Sequence, residues 1–322
     1  VTPRILVLGA LLLVGCSGPP PTGDSVRITI PRGATLAAVA DTLHAYQVID
    51  SPRWFRIYAT ILRRDRAIQA GVYDFHRHRP AGEVLQALVS GRAASQRLVI
   101  PEGLMLTEVA AEVERQLGLP AESVLAAARD SATLARIAPG AATLEGYLYP
   151  STYFVPVPPD ARAAVAQMVR EFEQRWDSAW IPRLDTLGMT RHAVVTLASI
   201  IEGEVRHDRD RRYVASVYHN RLRAGWRLQA DPTVIYALGR RRRLFERDYL
   251  YPSPYNTYLN DGLPPGPIGQ PSAASLAAAL YPAATDFFFL VAQEDGHHIF
   301  SRTLREHTAA VARVRAERDG GR

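Results

Sequence analysis

Hydrophobic positions divide the chain into three textures. After Arg4, an apolar run extends from Ile5 to Val14, broken only by Gly9. A membrane-spanning helix needs about 20 apolar residues, so this run suits the hydrophobic region of a secretory signal instead. Next comes an internal repeat with an offset of 70 residues. Arg27-Ile28-Thr29-Ile30-Pro31-Arg32-Gly33 precedes Leu36, Val39, Ala40 and Leu43; Arg97-Leu98-Val99-Ile100-Pro101-Glu102-Gly103 precedes Leu106, Val109, Ala110 and Val113. Each copy reads as a short strand, a Pro-x-Gly turn and an amphipathic helix with i, i+3, i+4, i+7 spacing. Between the copies, Ser51-Pro52 starts a helix through Leu62, residues 71–75 alternate as a strand, and 80–89 read as a short helix. From about residue 143 the spacing predicts helices over 160–176, 192–205 and 213–223, a buried strand over 287–292, a hairpin partner at 298–300 and a closing helix over 303–318.

These patterns predict an α+β protein. Residues 1–16 form a signal segment, 17–25 a tether, 26–130 a small α+β region and 131–318 a larger mixed α+β domain. The strand–helix–helix order of the 26–130 region resembles LysM-type glycan-binding modules. The apolar run ends in Leu13-Val14-Gly15-Cys16, followed by Ser-Gly-Pro-Pro-Pro. That arrangement resembles a bacterial lipobox, which implies lipidation of Cys16; an uncleaved short anchor is the alternative.

Composition narrows the chemistry. The net charge is +6, from 38 basic and 32 acidic residues, and every basic residue is Arg. With its high Ala content, the chain reads as the product of a GC-rich genome. Without Lys there is no Walker lysine, Schiff base or Ser-Lys dyad. A single Cys excludes an internal disulfide and a multi-Cys zinc site. The pairs His76/His78 and His297/His298 lack a third ligand nearby, so no metal or other cofactor is expected. The Arg240–Arg243 run reads as a solvated loop or a contact with anionic envelope polymers; an exported chain is not expected to bind nucleic acid.

Residues 194–205 carry the main chemical candidate. Val194, Ala198, Ile201 and Val205 form an apolar face, and Glu202 lies within the arc bounded by Val195 and Ala198. Glu204 lies about 160° from it around the helix. A carboxyl in apolar surroundings is driven towards its protonated form and can act as an acid near neutral pH. A structural Glu paired with Arg206 or Arg212 is the alternative.

Six strings occur in order: Leu144-Glu145-Gly146-Tyr147-Leu148-Tyr149-Pro150, 198–204, Asn220-Arg221-Leu222, 228–236, 253–258 and 262–268. Together they resemble the MltG-type endolytic murein transglycosylases, or YceG-like proteins, over nearly the whole exported part. The resemblance implies a YceG-like catalytic domain with Glu202 as its acid/base, cleaving peptidoglycan glycan strands to 1,6-anhydro-MurNAc ends. Gln229, Asp231 and Thr233, in a loop and strand start, and Tyr255 and Asn256, in a Pro-rich loop, are candidate substrate contacts, as are Glu145 and Tyr149. The resemblance also implies attachment to the cytoplasmic membrane with the catalytic part outside, beside peptidoglycan synthases. A muramidase with a second carboxylate and a non-catalytic glycan-binding lipoprotein are the rival readings. Three positions depart from the family's pattern: Gly203, where a bulkier, polar residue is common, and Val205 and Ala230, where Thr is common.

Overall fold

In the computed structural model the described residues are 25–91 and 94–320; the signal segment, Cys16 and nearly all of the expected tether lie outside them. Two compact units meet in sequence between Ala94 and Ser95. Among the described residues no helix is long and apolar enough to cross a membrane.

The first unit runs β1 (Ser25–Ile30), α1 (Leu36–Ala45), α2 (Pro52–Ile61), β2 (Gly71–His76) and α3 (Ala81–Ser90). Strands β1 and β2 pair antiparallel, with Ile28 opposite Tyr73. Alternation along β1 buries Ile28 and Ile30 against Val39, Leu43, Phe55, Val84 and Leu88. Thr35 caps α1 through the Ala38 amide, and Ser51 caps α2 through the Trp54 amide.

The second unit repeats the opening. It comprises β3 (Ser95–Ile100), α4 (Leu106–Leu117), α5 (Ala121–Ala127), α6 (Ser131–Ile137), β4 (Ser151–Pro156), α7 (Ala161–Arg175), α8 (Ile181–Leu187), α9 (Arg191–Glu204), α10 (Asp208–Arg223), α11 (Asp231–Leu238), α12 (Ala273–Leu280), β5 (Phe289–Ala292), β6 (His298–Ser301) and α13 (Leu304–Gly320). β3 pairs antiparallel with β4, and β5 with β6 in the expected hairpin. The second copy of the repeat therefore packs with the larger unit, and the boundary expected near residue 130 falls inside that unit, at the cap of α6. Asp130 accepts the Thr133 amide there, and Leu144 N donates to Ala128 O, so the chain is continuous structure across that point.

Helix α9 is the centre of the unit. All eight residues from Val194 to Ile201 are buried, so the helix is enclosed all round rather than amphipathic. Its two buried hydroxyls are satisfied: Thr196 donates to His192 O, and Ser199 donates to Thr196 O while accepting the Ile268 amide. Helices α10, α11 and α12 pack against it. The segment after Ala230, expected to begin a strand, is helix α11 instead. Pro232 sits in its first turn and Gly239 ends it in the left-handed conformation, and these end signals outweigh the β-branched Thr233, Val234 and Ile235.

Candidate active site

Helix α9 ends in Glu202-Gly203-Glu204, two carboxylates in its last turn. The backbone dipole disfavours negative charge there, so each needs local compensation. Glu202 obtains it on one oxygen. Its Oε2 accepts from Arg211 Nη1 at 3.1 Å, from the Ser272 amide at 2.9 Å and from the Ser272 hydroxyl. Both Glu202 and Arg211 side chains are 9% exposed. Oε1 has no hydrogen-bond partner among the described residues, and it is not among their enclosed, unsatisfied atoms, so it keeps an open side. The carboxylate is thus ion-paired, as the alternative reading expected, but with Arg211 rather than Arg206 or Arg212.

The partners come from three elements. Arg211 projects from α10, where Asp208 fixes its guanidinium at 2.9 Å and Ser275 accepts from the same nitrogen that reaches Glu202. Ser272 is the N-cap of α12, accepting the Ser275 amide at 3.2 Å. Gly103 closes the third side. Its φ of +78° counterpart in the first repeat copy is Gly33; Gly103 itself has φ +74°, and a Cβ there would lie 3.6 Å from Glu202 Cγ. The Gly103 loop is bound to the 270 loop by Gly103 N to Gln270 O at 2.7 Å and Gln270 N to Leu104 O at 2.9 Å. Arg241 donates to Gly103 O at 2.6 Å and pairs with Glu108.

Beside this loop stands a second carboxylate, the exposed Glu102. Desolvation and the neighbouring Glu202 charge push its carboxyl up from the ordinary range, against the pull of Arg211. Tyr149 is close by: its hydroxyl is in hydrogen-bond contact with the Ala273 backbone and senses the Glu102 charge, and the Arg175 guanidinium lies 5.7 Å from its ring centre.

The other expected contacts are placed differently. Glu145 is buried, accepting the Leu106 amide at 3.0 Å and the Gln270 amide nitrogen at 2.6 Å. Burial pushes it up to about 7. Tyr236 bonds to Glu145 and to Tyr255, so Tyr255 joins the same buried chain. Thr233 is fully buried, with its hydroxyl on Ala230 O and Thr257. Asn256 is fully buried, donating to Tyr249 O and Tyr251 O. These two side chains build the 229–258 loops and present no free polar atom. Gln229 is exposed, in a left-handed conformation at φ +49°. Asp231 accepts the Tyr258 hydroxyl at 2.6 Å and helps desolvation push Glu204 up to about 7. Glu204, bonded by Tyr218 at 3.1 Å, faces this tyrosine cluster and not Glu202's partners.

Sequence reasoning missed Glu102, Arg211 and Ser272. A signal existed for Glu102: where the first repeat copy has Pro31-Arg32-Gly33, the second has Pro101-Glu102-Gly103. The Arg240–Arg243 run lies largely at the surface, with Arg241 paired to Glu108 and Arg242 to Asp248. His298 is buried against Asp210, and His297 stacks on His207. Among the described residues no cluster of three or more His, Cys, Asp or Glu could hold a metal ion.

The chain is thus a two-unit α+β protein with a carboxylate held on one oxygen at the end of an enclosed helix. The chain belongs to the YceG-like family, whose pattern matches residues 28–313. It is 31% identical to a Bacillus subtilis protein named endolytic murein transglycosylase, over 95% of this chain and 90% of that one. A Streptococcus pneumoniae protein of the same name is 26% identical over 89% of this chain, which spans 58% of its length. A crystal structure of a YceG-like protein from Listeria monocytogenes is 32% identical and superposes with a TM-score of 0.62, covering 90% of this chain and all of that one.

Proposed function

We propose that this chain is an endolytic lytic transglycosylase that cuts the MurNAc–GlcNAc β-1,4 bond within peptidoglycan glycan strands. The observation that carries the reading is the asymmetry of Glu202. Three donors occupy Oε2, so a proton on this carboxyl resides on Oε1, the atom left open. From there it passes to the bridging oxygen as the C1–O4 bond breaks, and GlcNAc departs with a 4-hydroxyl. The MurNAc 6-oxygen then closes on C1 and returns its proton to Glu202, forming the 1,6-anhydro ring without consuming water. One carboxyl suffices, where a hydrolase ordinarily uses two. Similarity to proteins named for this activity supports the assignment.

The exposed Gln229 is the member of the expected contact set that offers surface to a strand, and Asp231 stands beside it at the start of α11; Tyr149 is buried and backs the Glu102 side of the site. We assign Glu145, Thr233, Tyr255 and Asn256 to positioning the loops. The catalytic part then begins at Ser95, because Glu102 and Gly103 belong to the site. The β-α-α-β order of residues 25–76 supports a LysM-like, glycan-binding reading of the first unit. Lipidation at Cys16, membrane attachment with the catalytic part outside the cytoplasm, termination of nascent strands and work beside peptidoglycan synthases complete the proposal.

Glu102 favours one second reading, a muramidase in which it activates water opposite Glu202. Mass spectrometry of digested glycan strands separates the two. Products lighter by one water than the reducing fragments are expected from the native chain and not from Glu202→Gln; reducing MurNAc ends would replace the proposal with the hydrolase.

A further inference from the structure

In the first unit, helix α2 has two apolar faces, and only one is used. Phe55 and Ala59 enter the core. At about 100° per residue, Ile57, Ile61 and Trp54 fall within about 60° of one another, on the side turned away from those two. They are 40%, 70% and 60% exposed, and Leu62 just beyond the helix is 47% exposed. None of the four belongs to the unit's core cluster. Arg53 and Arg56 flank the stripe, and Arg63 and Arg64 follow it. All four are exposed, and their guanidinium groups have no hydrogen-bond or ion-pair partner among the described residues. Of the nearby acids, Asp50 is paired with His78.

We propose that this face of α2 docks on an anionic lipid surface, with Trp54, Ile57 and Ile61 entering the headgroup–acyl boundary and the arginines meeting lipid phosphates. Apolar side chains beside an arginine fringe match an in-plane amphipathic helix, and Trp suits that boundary. A glycan strand fits the same face poorly, because sugar hydroxyls need convergent amide or carboxylate groups and the stripe offers none. A second copy fits poorly too, since a two-fold contact would bring Arg53 and Arg56 against their equivalents. Charge complementarity selects the bilayer. The proposed anchor agrees with it independently: eight residues separate Cys16 from β1, a reach of at most about 30 Å. Docking here adds a second membrane contact to the one the proposed function assigns to the N-terminus.

The test is hydrogen–deuterium exchange of the full chain, mixed with vesicles of phosphatidylethanolamine containing phosphatidylglycerol or with vesicles of phosphatidylcholine alone. Peptides covering 52–64 should exchange more slowly on the anionic vesicles only, and the protection should fade in high salt. Ile57→Asp with Ile61→Asp should abolish it while exchange in β1 and β2 stays native. If that pair loosens the strands, Ile61→Asp alone, at the last residue of the helix, gives the same reading. Arg53→Ala with Arg56→Ala should weaken local binding about 30-fold, at about fivefold for each arginine near an anionic surface. Equal protection on both vesicle types, protection by soluble glycan strands instead, protection by raised protein concentration without vesicles, or none at all would each overturn the proposal. Murein-cutting activity measured on the same samples reports separately on the proposed function, because none of these residues lies in its site.

Discussion

Exchanging Glu202 for Gln separates a chemical role from a structural one. Gln has the same shape. Its carbonyl oxygen can take the place of Oε2 under Arg211 and the two Ser272 donors, leaving the amide group where Oε1 was. What disappears is the charge and the transferable proton. Arg211 keeps Asp208 and Ser275, so it is not orphaned. Replacing charge-assisted hydrogen bonds by neutral ones in this 9% exposed pair should cost about 1–2 kcal/mol. In a chain of this size that is a fall in Tm of a few degrees. Loss of proton transfer is a far larger effect, about 10²–10⁴-fold in rate. The assay is turnover of purified glycan strands, followed by chromatography of anhydro-MurNAc products well below the Tm of both proteins and corrected for the folded fraction. A variant folded like the parent that keeps more than about a tenth of its activity would show that Glu202 serves only the ion pair. The acid would then have to be Glu102, the other carboxyl at the site.

Three further outcomes follow from the same geometry. Glu145 and Glu204 are each raised from 4.5 to about 7. Below pH 4.5 both are protonated, folded or unfolded, and their contribution to stability is fully present. As pH rises to about 7 and beyond, the unfolded chain ionises more readily and that contribution is lost, by on the order of 3 kcal/mol for each group at most. Urea midpoints at pH 5 and pH 8 should therefore lie closer together in Glu204→Gln than in the native chain; an unchanged gap refutes the assignment. The buried His219, held down by desolvation, imposes the opposite slope, but it does so equally in both proteins. Ser272→Ala should cost about 1 kcal/mol through the lost cap of α12. It should also lower kcat about tenfold as Glu202 loses one of its charge-assisted donors, worth about 1.5–3 kcal/mol, with KM little changed in steady-state assays. Gly203→Ala would place a Cβ 2.7 Å from the Pro232 Cβ, forcing α9 and α11 apart at about 1–3 kcal/mol, read as a fall in Tm.

Local pattern made the elements of this chain legible, but not the surroundings of its acid. The strand–turn–helix openings at Arg27 and Arg97, the hairpin at 298–300 and the helix carrying Glu202 all rest on periodicity and turn chemistry, which neighbouring residues decide. The partners of Glu202 do not. Arg211 is nine residues away, Ser272 seventy and Gly103 ninety-nine, and only the packing of α10 and α12 on α9 brings them together. The same reason explains Thr233 and Asn256. Their side chains suit sugar hydroxyls equally well when free, and nothing local reveals that each is fully buried and satisfied by its own loop. Comparison of the two repeat copies supplies information that neither copy holds alone. Both need a Pro-x-Gly turn with the glycine in a left-handed conformation, as the φ values of +78° and +74° show, so the turn explains the shared residues. It does not explain why the middle position is Arg32 in one copy and Glu102 in the other. The backbone tolerates either, and the difference must therefore come from what faces each turn. In the second copy that neighbour is Glu202, and placing a carboxylate beside another raises the energy of the charged state.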